Sequence, residues 1–379
     1  MTSELTAIDL FCGAGGLSEG LRQAGFHVLA GNDFDEAAGA TYARTHKEAR
    51  FLKGPIQNLT VEDFLRAARL KPGQLSVLAG GPPCQAYSVY NHQRGMHDER
   101  SFLFKEYLRL VDGLAPEWVI MENVMGLLST GQGAAVRAIT EGFKSLGYDI
   151  AFKVLKAEEY GVPQERRRVV FIGNRMGKPI NFPSVTHGPE LEPLTTVFDA
   201  ISDLPRLKNG EAWLNSHYAS EPRSSYQTEM RRGTPGVLNH AAPRLAKVNE
   251  QRMRHIPPGG SWRDIPIELL PAGMKKARRC DHTKRYGRLE WHGLSSTILT
   301  KCDIHWGAYI HPDDDRSLTV REAARFQSFP DWFEFEGSRT EQFVQVGNAV
   351  PPLLGRALGE EIKKSILGQA AKRRLRVAA

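Results

Sequence analysis

Along the first half of the chain, short apolar runs alternate with stretches whose apolar residues recur every three to four positions. These are the periods of buried strands and of helices with one packed face. Residues 6–11 (TAIDLF), 27–30, 76–79, 118–122 and 169–173 read as strands. After the first comes a glycine-rich turn, then a segment that puts Leu17, Leu21 and Ala24 on one helical face. Apolar strands separated by helical segments predict a parallel sheet with helices on both faces. From about residue 183 to 271 prolines and glycines become frequent and neither period persists. A helical pattern returns over 341–366. The expectation is an α/β lobe over residues 1–185, a smaller, loop-rich lobe over 186–328, and a return of 329–379 to the first lobe. A length of 379 residues suits two lobes.

Composition changes this picture in a few places. The net charge of +7 favours a polyanionic partner. Lys275, Lys276, Arg278, Arg279, Lys284, Arg285 and Arg288 crowd residues 271–288 against the single acid Asp281, and this cluster is read as a phosphate-binding surface. A second cluster, Lys372, Arg373, Arg374 and Arg376, is read as a solvated tail. The four cysteines, at positions 12, 84, 280 and 302, include no CxxC pair. That spacing argues against a disulfide framework or a metal site and points to a reducing, cytoplasmic setting. No 18-residue apolar run occurs, so no membrane span is expected. Monomer is the default expectation.

Two loops carry candidate chemistry. Asp9 to Gly16 (DLFCGAGG) ends the first strand and opens a helix, so its backbone can approach a ligand closely. It lacks the third glycine of a dinucleotide fingerprint, because Ser18 stands there. Asp33, just past the second strand, can accept from both hydroxyls of a ribose, and Phe34 beside it can stack on an adenine. A helix-capping Asp33 and a core Phe34 are the plain alternatives. Gly80 to Ser88 (GGPPCQAYS) follows the strand at 76–79. Cys84 therefore sits at the carboxyl end of the sheet, where open α/β folds bind ligands. Two prolines stiffen the approach, and a thiolate among backbone N–H donors is a strong nucleophile.

With four further motifs these loops carry a resemblance. The others are Met121 to Val124 (MENV), Gln164 to Arg168 (QERRR), Leu318 to Arg325 (LTVREAAR) and Gln345 to Pro351 (QVGNAVP). Six motifs in this order resemble the DNA (cytosine-5) methyltransferase family, of the prokaryotic restriction-modification or orphan type. The resemblance implies a Rossmann-like class I methyltransferase sheet and a loop-rich target-recognition domain. It implies methyl transfer from S-adenosylmethionine to carbon 5 of a flipped-out cytosine in double-stranded DNA, with Cys84 attacking carbon 6. Glu122 would act at nitrogen 3, Arg168 would hold the cytosine oxygen, and Arg166 would support the site or a phosphate. Arg166 and Arg168 alternate toward the strand and are expected on one face, with Arg167 solvated.

The resemblance also places Phe11, Gly13, Gly15, Asp33, Phe34 and Asn348 at the cofactor. Gln85, Ser88 and Arg94 would meet DNA around the flipped nucleotide, and Lys275 and Arg278 would meet phosphates. Residues 88–100 are expected to close over DNA. Arg231, Arg232, Lys301 and His305 are candidate base readers. One departure is Gly54-Pro55-Ile56, where the family has an acid against adenine; a backbone carbonyl and Asn58 are the openings, and the residue that replaces the acid is left unassigned. A restriction endonuclease acting on the same site is left open as a partner. Three other readings compete: an RNA-methylating relative (a class with a shorter recognition lobe), an inactive DNA-binding module, and a nicotinamide dehydrogenase.

Overall fold

The computed structural model describes residues 4–83, 103–215, 217–234 and 236–377, with side chains as far as 368. It forms two compact units. The first comprises Met1–Tyr160, Arg167–Thr186 and Val350–Ala379, and the second Gly161–Arg166 and His187–Ala349. The chain thus returns to the first unit at Val350, later than the 329 expected. Residues 329–349 stay in the second unit because their helix packs on the buried helix of residues 320–326.

The first unit holds a seven-stranded sheet: β1 Thr6–Leu10, β2 His27–Asp33, β3 Arg50–Lys53, β4 Val77–Gly80, β5 Trp118–Val124, β6 Asp149–Lys156 and β7 Arg167–Asn174. Their order is β3-β2-β1-β4-β5-β7-β6. The pairs among β1 to β5 are parallel, whereas β7 runs antiparallel to both β5 and β6. All five expected strands are present. The two that sequence reading missed, β3 and β6, are the sheet edges. They alternate in burial only partly and carry Arg50, Lys53, Asp149, Lys153 and Lys156, so no apolar run marks them.

Helices α1 Gly16–Gln23, α2 Glu36–Thr45, α3 Val61–Ala68, α4 Leu103–Leu114, α5 Gly126–Ser129 and α6 Ala134–Ser145 follow in the first unit. The second unit carries α7 Val197–Ile201, α8 Ser225–Met230, α9 Lys247–Met253, α10 Val320–Phe326 and α11 Arg339–Asn348; α12 Pro352–Val377 belongs to the first. Strand alternation splits the sheet's side chains between two cores. Ile8, Leu78, Val119 and Phe171 pack with Phe64, Tyr107, Leu110 and Phe143 of α3, α4 and α6. Ala7, Val77, Ile120 and Ile172 pack with Leu17 and Leu21 of α1 and with Leu354 and Leu358 of α12. The single helical stretch expected over 341–366 is two helices, because Pro351 and Pro352 interrupt the backbone pattern.

The α1–α12 crossing is backbone against backbone. A Cβ added at Gly20 would lie 2.5 Å from the Pro352 carbonyl oxygen, 2.6 Å from the Arg356 nitrogen and 2.6 Å from the Gly355 Cα. Alanine normally stabilises a helix relative to glycine by about 1 kcal/mol. At Gly20 the sign reverses: Gly20→Ala is expected to cost about 1–3 kcal/mol by overpacking, read as a lower thermal midpoint. An unchanged or higher midpoint would show that α12 can back away freely.

In the second unit, Met253, Ile256, Trp262, Ile265, Met274, Tyr286, Ile304 and Ile310 form a separate small core. No helix among the described residues is long and apolar enough to cross a membrane.

Candidate active site

Loops at the carboxyl ends of β1, β2 and β4 build the first half of the site. After β1 the chain turns through positive φ at Phe11 (54°), Gly13 (52°) and Gly15 (99°). Gly15 is needed both for its φ and for space, because a Cβ there would meet the His46 ring at 2.4 Å. Asp33 fixes this loop by accepting from the Gly13 amide at 2.8 Å and the Asp35 amide at 3.0 Å. Burial raises the Asp33 pKa above the usual carboxylate value, while those amides pull it down. The helix-capping role falls to Asp35, which accepts from the Ala38 amide at the start of α2. Asp33 is therefore not a cap. Phe34 is 66% exposed and is not core. Asn58 and Pro55 are both exposed at the 3-10 turn after β3.

Asp9 was given no role from sequence. Its buried carboxylate accepts from the Ser18 hydroxyl at 2.7 Å, and that hydroxyl lies 3.1 Å from Tyr42 Oη. Burial pushes the Asp9 pKa up to about 7 against the Ser18 hydrogen bond. The carboxylate ties the end of β1 to the first turns of α1 across the glycine loop. An acid inside an apolar strand was the available signal.

Residues 81–83, which lead from β4 towards Cys84, are anchored to β5. Asn123 Nδ2 donates to the Pro82 carbonyl at 3.0 Å, and Asn123 Oδ1 accepts from the Val124 amide at 2.9 Å. A Cβ at Gly81 would lie 3.2 Å from Glu122 Oε2, so the glycine lets the loop pass close to that carboxylate. Glu122, at the end of β5, is ion-paired with Arg168 of β7 at 2.7 Å. Their side chains are only 11% and 13% exposed. Arg168 also donates to the Arg167 carbonyl at 2.8 Å. Burial lowers the Arg168 pKa even though Glu122 opposes the shift. Cys84, Gln85, Ser88 and Arg94, with the rest of 88–100, lie outside the described residues.

Sequence reading put Arg166 and Arg168 on one face, but their partners differ. Arg166, buried in the second unit, donates to the carbonyls of Gly347 (3.0 Å), Ala349 (2.8 Å) and Ile298 (3.3 Å). It clamps the backbone on both sides of Asn348, whose side chain is exposed. Gln164 accepts from the Ile298 amide at 3.0 Å and donates to the Phe326 carbonyl at 2.9 Å, and Gln327 donates to the Val346 carbonyl at 2.6 Å. Three motifs distant in sequence thus meet in one buried polar network. Arg167 is exposed as expected.

The remaining candidates divide sharply. Arg231 is tied to Asp203 at 2.7 Å and lies 3.8 Å from the Tyr218 ring centroid, so it is not a free reader. Arg288, counted in the basic cluster, is buried on the carbonyls of Met253, Ile256 and His311. Lys275 is exposed, and Arg278 is exposed but paired with Asp281 at 3.1 Å. Within the LTVREAAR motif, Arg321 and Arg325 are fully buried structural groups.

Comparison with known proteins identifies the family and the fold. Residues 5–364 match the family described as C-5 cytosine-specific DNA methylase. The Type II methyltransferase M.AgeI of Thalassovita gelatinovora is 36% identical over 96% of this chain and 100% of its own. The Type II methyltransferase M1.HphI of Haemophilus parahaemolyticus is 35% identical over 95% of this chain and 87% of its own. Among solved structures, a prophage-encoded E. coli protein described as a DNA modification methyltransferase aligns with a TM-score of 0.76 at 25% identity. That alignment covers 96% of this chain and 100% of the other. The sheet with its antiparallel β7 is the Rossmann-like methyltransferase sheet, and the chain belongs to the C-5 cytosine-specific DNA methylase family.

Proposed function

We propose that this protein transfers the methyl group of S-adenosylmethionine to carbon 5 of a cytosine flipped out of double-stranded DNA at a specific sequence, through a covalent Cys84 adduct. The observation that carries the reading is the buried Glu122–Arg168 pair at 2.7 Å, beside Gly81 in the segment that leads from β4 towards Cys84. A base inside a duplex cannot reach such a pair, so it must leave the stack. The Cys84 thiolate adds to carbon 6, and the displaced electron pair moves into the ring. Glu122 holds a proton at nitrogen 3 while Arg168 donates to the cytosine oxygen, so charge does not build up on the ring. Carbon 5 becomes nucleophilic and takes the methyl group. Water takes the proton from carbon 5, the electron pair left there breaks the bond between carbon 6 and the Cys84 sulfur, and the proton at nitrogen 3 returns to Glu122.

The residues present fit the cofactor. Phe34 offers an exposed aromatic face for the adenine. Asp33 keeps acceptor capacity for ribose hydroxyls beyond its two amide bonds. Phe11, Gly13 and Gly15 shape the backbone beside them, and Asn348 is exposed on its clamped turn. When bound, S-adenosylmethionine supplies a methyl group on a sulfonium with a neutral leaving group. Gln85, Ser88 and Arg94 are assigned to the DNA around the flipped nucleotide, and Lys275 to phosphate. The Arg278–Asp281 pair is a surface one, worth at most about 1 kcal/mol, so Arg278 can exchange it for phosphate. Arg166 is assigned to positioning, and the second unit to target recognition.

The test is incubation with radiolabelled S-adenosylmethionine and mixed genomic DNA, in parallel with transfer RNA and with Cys84→Ala. Label is expected in DNA cytosine and is expected to fall to background in the variant. Label in RNA alone, or label in DNA that survives the substitution, would sink the reading.

A further inference from the structure

The second unit presents one aromatic side chain in an unusual setting. Trp306 is 52% exposed although its neighbour Ile304 is fully buried in the small core of that unit. The turn that carries it is fixed. The Asp303 amide donates to the Lys301 carbonyl at 2.9 Å, and the Trp306 amide to the Asp303 carbonyl at 2.9 Å. The Tyr286 amide donates to the Ile304 carbonyl at 2.6 Å. A Cβ at Gly307 would lie 2.6 Å from the Tyr309 ring, which holds the far side of the turn. The indole is thus displayed by a rigid frame, and its exposure does not come from a loose loop.

Two cations attend it. The Arg285 guanidinium carbon lies 5.2 Å from the centroid of the Trp306 ring and Lys301 Nζ 5.4 Å from it. Exposed Lys275, Lys276 and Arg279 precede Arg285 in the chain, and Lys284 is held by Glu165 at 2.7 Å. Leaving a tryptophan half in water forgoes much of its burial energy, and aromatic and arginine anchors of this kind dominate recognition surfaces. An indole with cations at its face offers an apolar platform for a deoxyribose and donors for the flanking phosphates. The two cations at the ring suit a ligand that carries phosphates.

We propose that Trp306, Arg285 and Lys301 form a contact site for the double-stranded DNA substrate, with Trp306 packing on one nucleotide and the two cations holding adjacent phosphates. The assignment rests on the DNA reading above and adds these residues to it. It also separates their roles. Trp306 supplies contact that salt does not weaken, while Arg285 and Lys301 supply the salt-dependent part.

The experiment uses the full chain with a mixed-sequence 40-bp duplex and with genomic DNA, comparing wild type, Trp306→Ala, Trp306→Phe and the double variant Arg285→Ala/Lys301→Ala. For Trp306→Ala the affinity is expected to fall about tenfold, with the salt slope unchanged and the phenylalanine variant recovering most of the loss. For the double variant the slope of log K against log salt is expected to drop by about 2. In methylation assays KM for DNA is expected to rise while kcat at saturating DNA holds. Equal thermal midpoints and equal S-adenosylmethionine binding exclude misfolding as the cause. Wild-type methylation of DNA with an unaltered KM in Trp306→Ala overturns this assignment alone. Failure of the wild type to label DNA overturns the reading beneath it and this assignment with it.

Discussion

Glu122→Gln is expected to lower kcat by about 10²- to 10⁴-fold, the range ascribed to a positioned acid or base, while the Kd for S-adenosylmethionine stays within about twofold. The substitution keeps the shape of the side chain, and the amide oxygen can still accept from Arg168 Nε, now 2.7 Å from Glu122 Oε1. What is lost is the charge and the ability to hold a proton at a ring nitrogen. Removing one partner of a buried ion pair outright costs about 3–5 kcal/mol. Retaining an acceptor limits the loss to about 1.5–3 kcal/mol, the worth of a hydrogen bond to a charged group.

The stability and rate effects should therefore part company, with a modest fall in thermal midpoint and a large fall in turnover. The double variant Glu122→Gln/Arg168→Gln, which leaves no charge in the pair, should regain stability and remain slow. Single-turnover kinetics below the midpoint of each variant would check this. If turnover recovers in step with stability, Glu122 is a structural carboxylate and the chemistry assigned to it is wrong.

The sequence was readable where burial was continuous. β1, β2, β4, β5 and β7 sit inside the sheet and read as apolar runs. The edge strands β3 and β6 did not, because one side of each faces solvent and their charges break the pattern. At the candidate site, Asp33, Phe34, Glu122 and Arg168 can be picked out from sequence because each stands at a strand end within a dense local motif. The network around Arg166 was not. Its partners Ile298, Gly347 and Ala349 lie 132 to 183 positions away in the chain, and no period or local spacing encodes such a meeting. The same limit explains Arg231 and Arg288, which sequence reading took for exposed charge. A lone arginine looks alike whether it faces phosphate or a buried carbonyl.

Arg325→Met is expected to destabilise the protein by about 3 kcal/mol, the lower end of the cost of breaking a buried pair, without weakening DNA binding by the protein that remains folded. Arg325 grips Asp331 through two bonds of 2.6 Å and donates to Asp203 at 3.1 Å and to the Ala200 carbonyl at 2.7 Å. All three charged side chains are fully buried. Burial alone would lower the arginine's pKa, but Asp331 and Asp203 outweigh it and hold the group charged. Arg231 remains beside Asp203, and Arg321 lies 3.7 Å from Asp331, so the acids are not wholly abandoned when Arg325 is lost. That is why the lower figure applies. Arg325→Lys should rescue little, because an ammonium cannot make the two parallel bonds of the guanidinium fork. The check is urea unfolding of each variant beside DNA titration at a temperature where all remain folded. A normal urea midpoint with lost DNA affinity would mean that the LTVREAAR motif touches DNA after all. The expected result, a lowered midpoint with intact affinity, would assign Arg325 to the buried frame of the second unit.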